Sequence, residues 1–206
     1  MNFFVATLGR SGTNWLAELL NKSEKFTVEH ERMDGRDPRF IHPYSPFPIE
    51  RFARPDYGEV HGFLRYSLSA GFIGPETMVP RRVLLERCPF AVIKSWMQCG
   101  DREGWEFSAV VFEVLTQQRL LKLWADADLE VRQEQFEVLT TDLEKLKVFC
   151  AWLELDYEPT QEDMMERKCA SEETFQWTQD LVGKVNVIAE RQGIAQLSPK
   201  DTPELL

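Results

Sequence analysis

The sequence predicts an α/β protein, a three-layer α/β/α arrangement around a central, mostly parallel sheet. Three observations predict it. Phe3-Phe4-Val5-Ala6-Thr7-Leu8 is a short apolar run rich in aromatic and β-branched residues, the composition of a buried parallel strand. A glycine-bearing loop, Gly9 to Gly12, follows at once, and then Trp15, Leu16, Leu19 and Leu20 fall at helical spacing. Further strand-like runs alternate with helical patterns, and strands joined through helices lie parallel with both faces covered. The 206 residues, 43% apolar and 28% charged, suit one domain spanning the chain and argue against disorder.

The elements follow in order. After the first strand, a helix is expected from Thr13 to Asn21, and Phe26 to His30 reads as a second strand. Residues 32–57 differ, with five prolines and with arginines at 32, 36, 39, 51 and 54. A long irregular segment in a compact domain is usually functional, so a lid is expected there. Glu59 to Tyr66 fits strand and helix equally. Arg82 to Glu86 is a short strand, and Pro89 suits the first turn of a helix running to about Cys99. Residues 105–124 carry an amphipathic pattern through Trp105, Val110, Val114, Leu121 and Trp124, and a strand is expected over Leu129 to Gln133. Thr141, with Glu144 three residues on, has capping-box spacing, so a helix is expected from Thr141 to Leu153. Two more helices are expected after Pro159, then a frayed tail over 198–206. Trp15, Phe90, Trp96, Trp105 and Trp124 sit at core spacing and read as packing, with one free to stack on a base.

Charge narrows the function. With 34 acidic and 24 basic residues the net charge is −10, which disfavours nucleic acid and anionic membranes as partners. A small anion remains compatible, because a local nest of N–H groups and an arginine can hold it. Cys88, Cys99, Cys150 and Cys169 form no CxxC pair, so free thiols are expected rather than a zinc site or disulfide framework. No apolar run reaches membrane-spanning length, and the chain opens directly on a core strand. A reducing, cytoplasmic setting is the expectation.

The loop Gly9-Arg10-Ser11-Gly12-Thr13-Asn14-Trp15 carries the chemistry. Strand, glycine loop and helix start together make an anion site: unpaired N–H groups and the helix dipole favour negative charge. Arg10 adds a cationic fork, and Ser11, Thr13 and Asn14 add side-chain donors. The nucleotide-triphosphatase loop GxxxxGK[ST] places lysine after its second glycine, for phosphate, and then a hydroxyl for magnesium. Here Thr13 and Asn14 stand in those two places. A P-loop kinase or nucleotide-binding protein therefore loses its main supports, and a donor needing a cradle, a cation and no metal fits better.

This loop resembles the 5′-phosphosulfate loop of sulfotransferases. Cytosolic members have Lys-Ser-Gly-Thr-Thr-Trp there, and carbohydrate-type members have Arg-Ser-Gly-Ser or Arg-Ser-Gly-Thr. A second segment, Arg87-Cys88-Pro89-Phe90-Ala91-Val92-Ile93-Lys94-Ser95, is similar to the family's 3′-phosphate motif: a strand end, an Arg, and a Ser eight positions later on the next helix. A third, looser likeness runs from Leu129 to Tyr157. It corresponds to a late strand, a Tyr-Glu-Asp-Leu stretch and a helix, with Gln133 where Tyr is usual and Glu154 in place of Gly. The family's carboxyl-terminal Arg-Lys-Gly loop has no counterpart, and Lys184 is the one candidate replacement.

The resemblance implies a P-loop-like sulfotransferase fold. It implies 3′-phosphoadenylyl sulfate (PAPS) as donor, adenosine 3′,5′-bisphosphate (PAP) as product, no metal, and a small-molecule or carbohydrate acceptor. Arg10, Ser11, Gly12, Thr13, Asn14 and Trp15 would line the 5′ side, with Arg87 and Ser95 at the 3′-phosphate. Arg10 holds the place of the catalytic lysine. Arginine releases no proton at neutral pH, so its role there is electrostatic. The base remains open between Glu31, 21 residues after Arg10, and His61, 26 residues before Arg87, with His30 and Glu29 behind them. A fold relative that has lost the activity is the remaining alternative.

Overall fold

A computed structural model describes residues 1–8, 12–30, 54–62, 81–98, 106–127, 130–165, 175–195 and 197. Among the described residues five strands, β1 (Phe3–Thr7), β2 (Thr27–His30), β3 (Tyr57–His61), β4 (Arg81–Glu86) and β5 (Val131–Gln135), form one sheet in the order β2-β3-β1-β4-β5. Every neighbouring pair is parallel. The helices are α1 (Thr13–Leu20), α2 (Pro89–Met97), α3 (Phe107–Ala127), α4 (Phe136–Thr141), α5 (Leu143–Trp152), α6 (Gln161–Met165) and α7 (Gln179–Arg191).

Side chains alternate across the sheet and build two cores. Phe4, Ala6 and Leu84 pack with α2, α3 and α7 on one face, through Phe90, Ile93, Val111, Leu115 and Val185. Phe3, Val5, Val83 and Leu85 pack on the other with α1, α4 and α5, through Leu16, Leu20, Leu139 and Phe149. Trp15, Phe90, Trp96 and Trp124 are buried as their spacing predicts, while Trp105 lies outside the described residues. All residues of β3 are buried, so no alternation of apolar and polar side chains marks it as a strand. Gly58 is required in it, because a Cβ at that position would stand 2.1 Å from Cζ of Phe3.

The expected helix from Thr141 is corrected. Two helices meet at Asp142, whose backbone is extended and whose side chain accepts the Lys145 N–H at 3.1 Å. Thr141 instead ends α4, its hydroxyl donating to the Glu137 carbonyl at 2.7 Å. Asp142 therefore caps α5, one residue beyond the predicted cap. Glu154, which stands where the resemblance would place a glycine, does occupy a left-handed conformation (φ 59°). The Glu154 N–H donates to Ala151 O and the Leu155 N–H to Cys150 O, the paired bonds that close a helix through a left-handed residue. The Glu154 carboxylate meets Arg81 at 2.6 Å and Lys25 at 3.6 Å.

Asp163 fastens α6 beneath α1. Its carboxylate takes Lys22 at 2.5 Å, the Tyr157 hydroxyl at 2.7 Å, and the Thr160 N–H and hydroxyl at 2.6 and 3.0 Å. Burial pushes this carboxyl up, but the Lys22 ammonium and the Thr160 and Tyr157 donors outweigh it and hold the pKa at about 2. Cys150 is buried among apolar neighbours, and burial, with the Asp163 charge adding to it, pushes its thiol up to about 12. Cys150 and the half-buried Cys88 form no disulfide, and Cys99 and Cys169 lie outside the described residues. No helix among the described residues is long and apolar enough to cross a membrane.

Candidate functional site

The sheet's topology marks out a candidate site before any side chain is considered. β1 and β4 are neighbours, with Thr7 in register with Leu85. The Thr7 hydroxyl also donates to the Leu85 carbonyl at 2.7 Å, joining the two strand ends. The helix that follows β1 covers one face, and the helix that follows β4 covers the other. Adjacent parallel strands whose chains leave in opposite directions open a crevice at their carboxyl ends, where ligands of such sheets bind.

On the β1 side, Gly12 is the N-cap of α1 and has φ 74° and ψ 25°. Its helical ladder begins with the Leu16 N–H on the Gly12 carbonyl at 3.0 Å. The N–H groups of Thr13, Asn14 and Trp15 therefore lie ahead of the ladder, at the positive end of the helix dipole. Thr13 is buried, and its Oγ1 lies 2.6 Å from Nε2 of His30, the last residue of β2. Asn14 is exposed. The Trp15 indole donates to the Asp163 carbonyl at 2.8 Å, so this residue anchors the helix and packs. Gly9, Arg10, Ser11 and Glu31 lie outside the described residues.

On the β4 side, Arg87 follows the strand directly and Ser95 lies two turns along in α2. Arg87 is largely buried, with side-chain exposure of 17%. Its guanidinium lies over the Phe136 ring, Cζ to centroid 4.7 Å. Nε is 3.8 Å from Glu137 Oε1, which also accepts the Cys88 N–H at 3.2 Å. One acidic side chain thus serves both the arginine and the start of α2.

Phe136 is the residue that sequence reasoning missed. The strand β5 ends at Gln135, so Gln133 sits in mid-strand opposite Leu84, and the residues that follow the strand are Phe136-Glu137-Val138-Leu139. The ring of Phe136 is 2% exposed and meets Trp15 edge-on, centroids 5.8 Å apart. A Cβ on Gly12 would stand 2.2 Å from its Cε2. Glycine is thus required at position 12 by its left-handed φ and by this ring, whatever else approaches its backbone. Gly12 and Arg87, 75 residues apart in sequence, touch the same aromatic ring. The available signal was an aromatic-acidic pair shortly after the predicted strand, whose expected end at Gln133 fell short of the observed end at Gln135.

The other candidates stand apart. His61 ends β3 at the same edge but on the opposite face from α1, buried, with its ring 6.4 Å from that of Phe4. Glu29 and Glu59 both approach the Tyr57 hydroxyl, at 3.1 and 2.5 Å. A phenol carries one proton and donates to one carboxylate at a time. Lys184 pairs with Asp180 at 2.8 Å on the exposed face of α7, and no described contact links it to Gly12, Arg87 or Phe136. Among the described residues, no cluster of three His, Cys, Asp or Glu is placed to hold a metal ion.

No family model matches the chain, and no curated protein matches it in sequence. Among solved structures, it is similar to the crystal structure of mouse sulfotransferase SULT7A1 complexed with PAP. The TM-score is 0.53 and the identity 16%, over 80% of this chain and 61% of that one. The chain thus spans about three-fifths of the mouse protein's length. The shared architecture is the P-loop-like α/β fold of sulfotransferases, with its all-parallel five-stranded sheet between helices.

Proposed function

We propose that this chain is a sulfotransferase that moves a sulfuryl group from PAPS to a hydroxyl or amine of a small-molecule or carbohydrate acceptor. The observation that carries the reading is the joining of the Gly12 helix start and Arg87 on one ring, at the adjacent carboxyl ends of β1 and β4. The residues fit a nucleotide phosphorylated at both ends: a helix start ahead of its hydrogen-bond ladder on one side, a stacked guanidinium on the other. The PAP bound by the structurally similar mouse protein is such a nucleotide.

PAPS supplies the sulfuryl group, and in-line attack by the acceptor on sulfur releases PAP. The N–H groups of Thr13, Asn14 and Trp15, with Ser11, cradle the 5′ side. His30 orients the Thr13 hydroxyl through their 2.6 Å hydrogen bond. Arg10 offsets the charge that grows on the leaving phosphate. Arg87, with Ser95, forks onto the 3′-phosphate. Glu31, which follows β2 directly, is the first choice for the base that takes the acceptor's proton, and His61 is the second. Residues 32–53 of the expected acceptor-side lid lie outside the described residues, the whole chain acts as one domain, and its setting is the cytoplasm.

Calorimetric titration with PAP in the presence of a chelator tests the reading, with magnesium and ATP in a parallel run. Metal-independent binding of PAP is the expected result. Binding of magnesium–ATP without binding of PAP would replace the sulfotransferase with a kinase-like protein.

A further inference from the structure

The geometry points to Phe136 as a specificity-determining residue, a spacer that fixes Arg87 relative to Gly12 and so selects nucleotides whose two phosphates stand at 3′ and 5′. The inference rests on the proposed donor site and adds to it the residue that sets its phosphate spacing. Three contacts carry it. The ring is 2% exposed and bounded on one side by Gly12, where even a methyl group would overlap Cε2. Trp15 closes on the ring edge-on at 87° and fixes its tilt. Arg87 lies over it at 4.7 Å. A guanidinium is planar, so resting it on a fixed ring limits where its donor fork can point. Glu137, next in sequence, holds the Cys88 N–H and stands beside Arg87 Nε, so the arginine is also fixed at its root. The distance between the 5′ cradle and the arginine is therefore set by an aromatic side chain rather than by a flexible loop.

A rigid spacing distinguishes isomers of equal charge. Adenosine 3′,5′-bisphosphate and adenosine 2′,5′-bisphosphate have the same composition and differ in where one phosphate sits. A well-aimed charge-assisted contact corresponds to about ten- to a hundredfold in affinity, and that is the preference expected of the wild-type protein for the 3′ isomer. Phe136→Leu keeps an apolar side chain but removes the platform. It is expected to reduce the preference to about threefold or less while the affinity for 5′-AMP changes little. Phe136→Tyr keeps the ring and should retain the preference. A purely structural role would lower stability and weaken all three nucleotides together.

Arg87→Lys provides a test that leaves the core intact. It keeps the charge, gives up the planar stack, and should also lose the isomer preference. The experiment is calorimetric titration of the four proteins with the two bisphosphates and 5′-AMP. Retained preference in Phe136→Leu, or in Arg87→Lys if the former does not fold, overturns the spacer role and leaves the donor site standing. A wild-type protein that binds both isomers alike overturns the spacer and leaves the donor site standing, and one that binds neither overturns both.

Discussion

Gly12→Ala is the substitution whose cost the structure resolves into separate parts. At φ 74° an alanine meets the left-handed penalty, roughly 1–2 kcal/mol. Its Cβ would also sit 2.2 and 2.6 Å from Cε2 and Cζ of Phe136, and relieving such an overlap costs about 1–3 kcal/mol in a packed interior. The single variant should therefore lose roughly 2–5 kcal/mol, a large share of a domain's stability. Phe136→Leu removes the two clashing atoms and alone costs about 1–2 kcal/mol of packing. In the double variant the overlap vanishes and only the backbone strain and the lost ring remain. The two changes should then fall short of additivity by about 1–3 kcal/mol. Urea unfolding of the four proteins measures this from midpoints at constant slope. Additivity within about 0.5 kcal/mol would show that Gly12 does not make room for Phe136, and would remove the contact on which the site's assembly rests.

Three further outcomes follow from the same structure. Asp163 has a folded pKa of about 2, below the ordinary carboxyl value, so its contribution is full above about pH 5 and is lost as pH falls toward 2. Wild type should lose about 2 kcal/mol more than Asp163→Asn between those limits, and parallel pH profiles of unfolding would refute the role. Asp142→Ala removes the cap of α5 and should cost about 1 kcal/mol by urea unfolding, whereas Thr141→Ala should cost less because that hydroxyl bonds back within α4. Cys150, buried and held protonated to about pH 12, should resist alkylation at pH 8 in the native protein and react once it unfolds, as peptide mapping would show.

What was legible in the sequence was local. The runs at Phe3, Phe26 and Arg82 gave strands because apolar and β-branched residues cluster there, and Pro89 gave the start of α2. The glycine loop and Arg87 were readable only as a candidate anion site, because helix starts and arginines at strand ends have that chemistry wherever they occur. The strand β3 was not, since Tyr-Gly-Glu-Val-His has neither period and its burial comes from its place between β2 and β1. The break at Asp142 was misplaced by one residue because Thr141 and Asp142 both make acceptable caps, and only the backbone decides between them. The ring of Phe136 was out of reach because its partners lie 124 and 49 residues away at Gly12 and Arg87, and no local pattern encodes that meeting.

The central claim is that the Gly12 helix start and Arg87 form one nucleotide site whose arginine reads the 3′-phosphate. The most direct test is the ratio of affinities for PAP and 5′-AMP, measured by metal-free calorimetry in wild type and in Arg87→Ala. A wild-type preference of about ten- to a hundredfold that disappears in the variant, with 5′-AMP affinity nearly unchanged, is the expected result. Equal affinity for the two nucleotides in wild type, or a preference that survives the loss of Arg87, would contradict it.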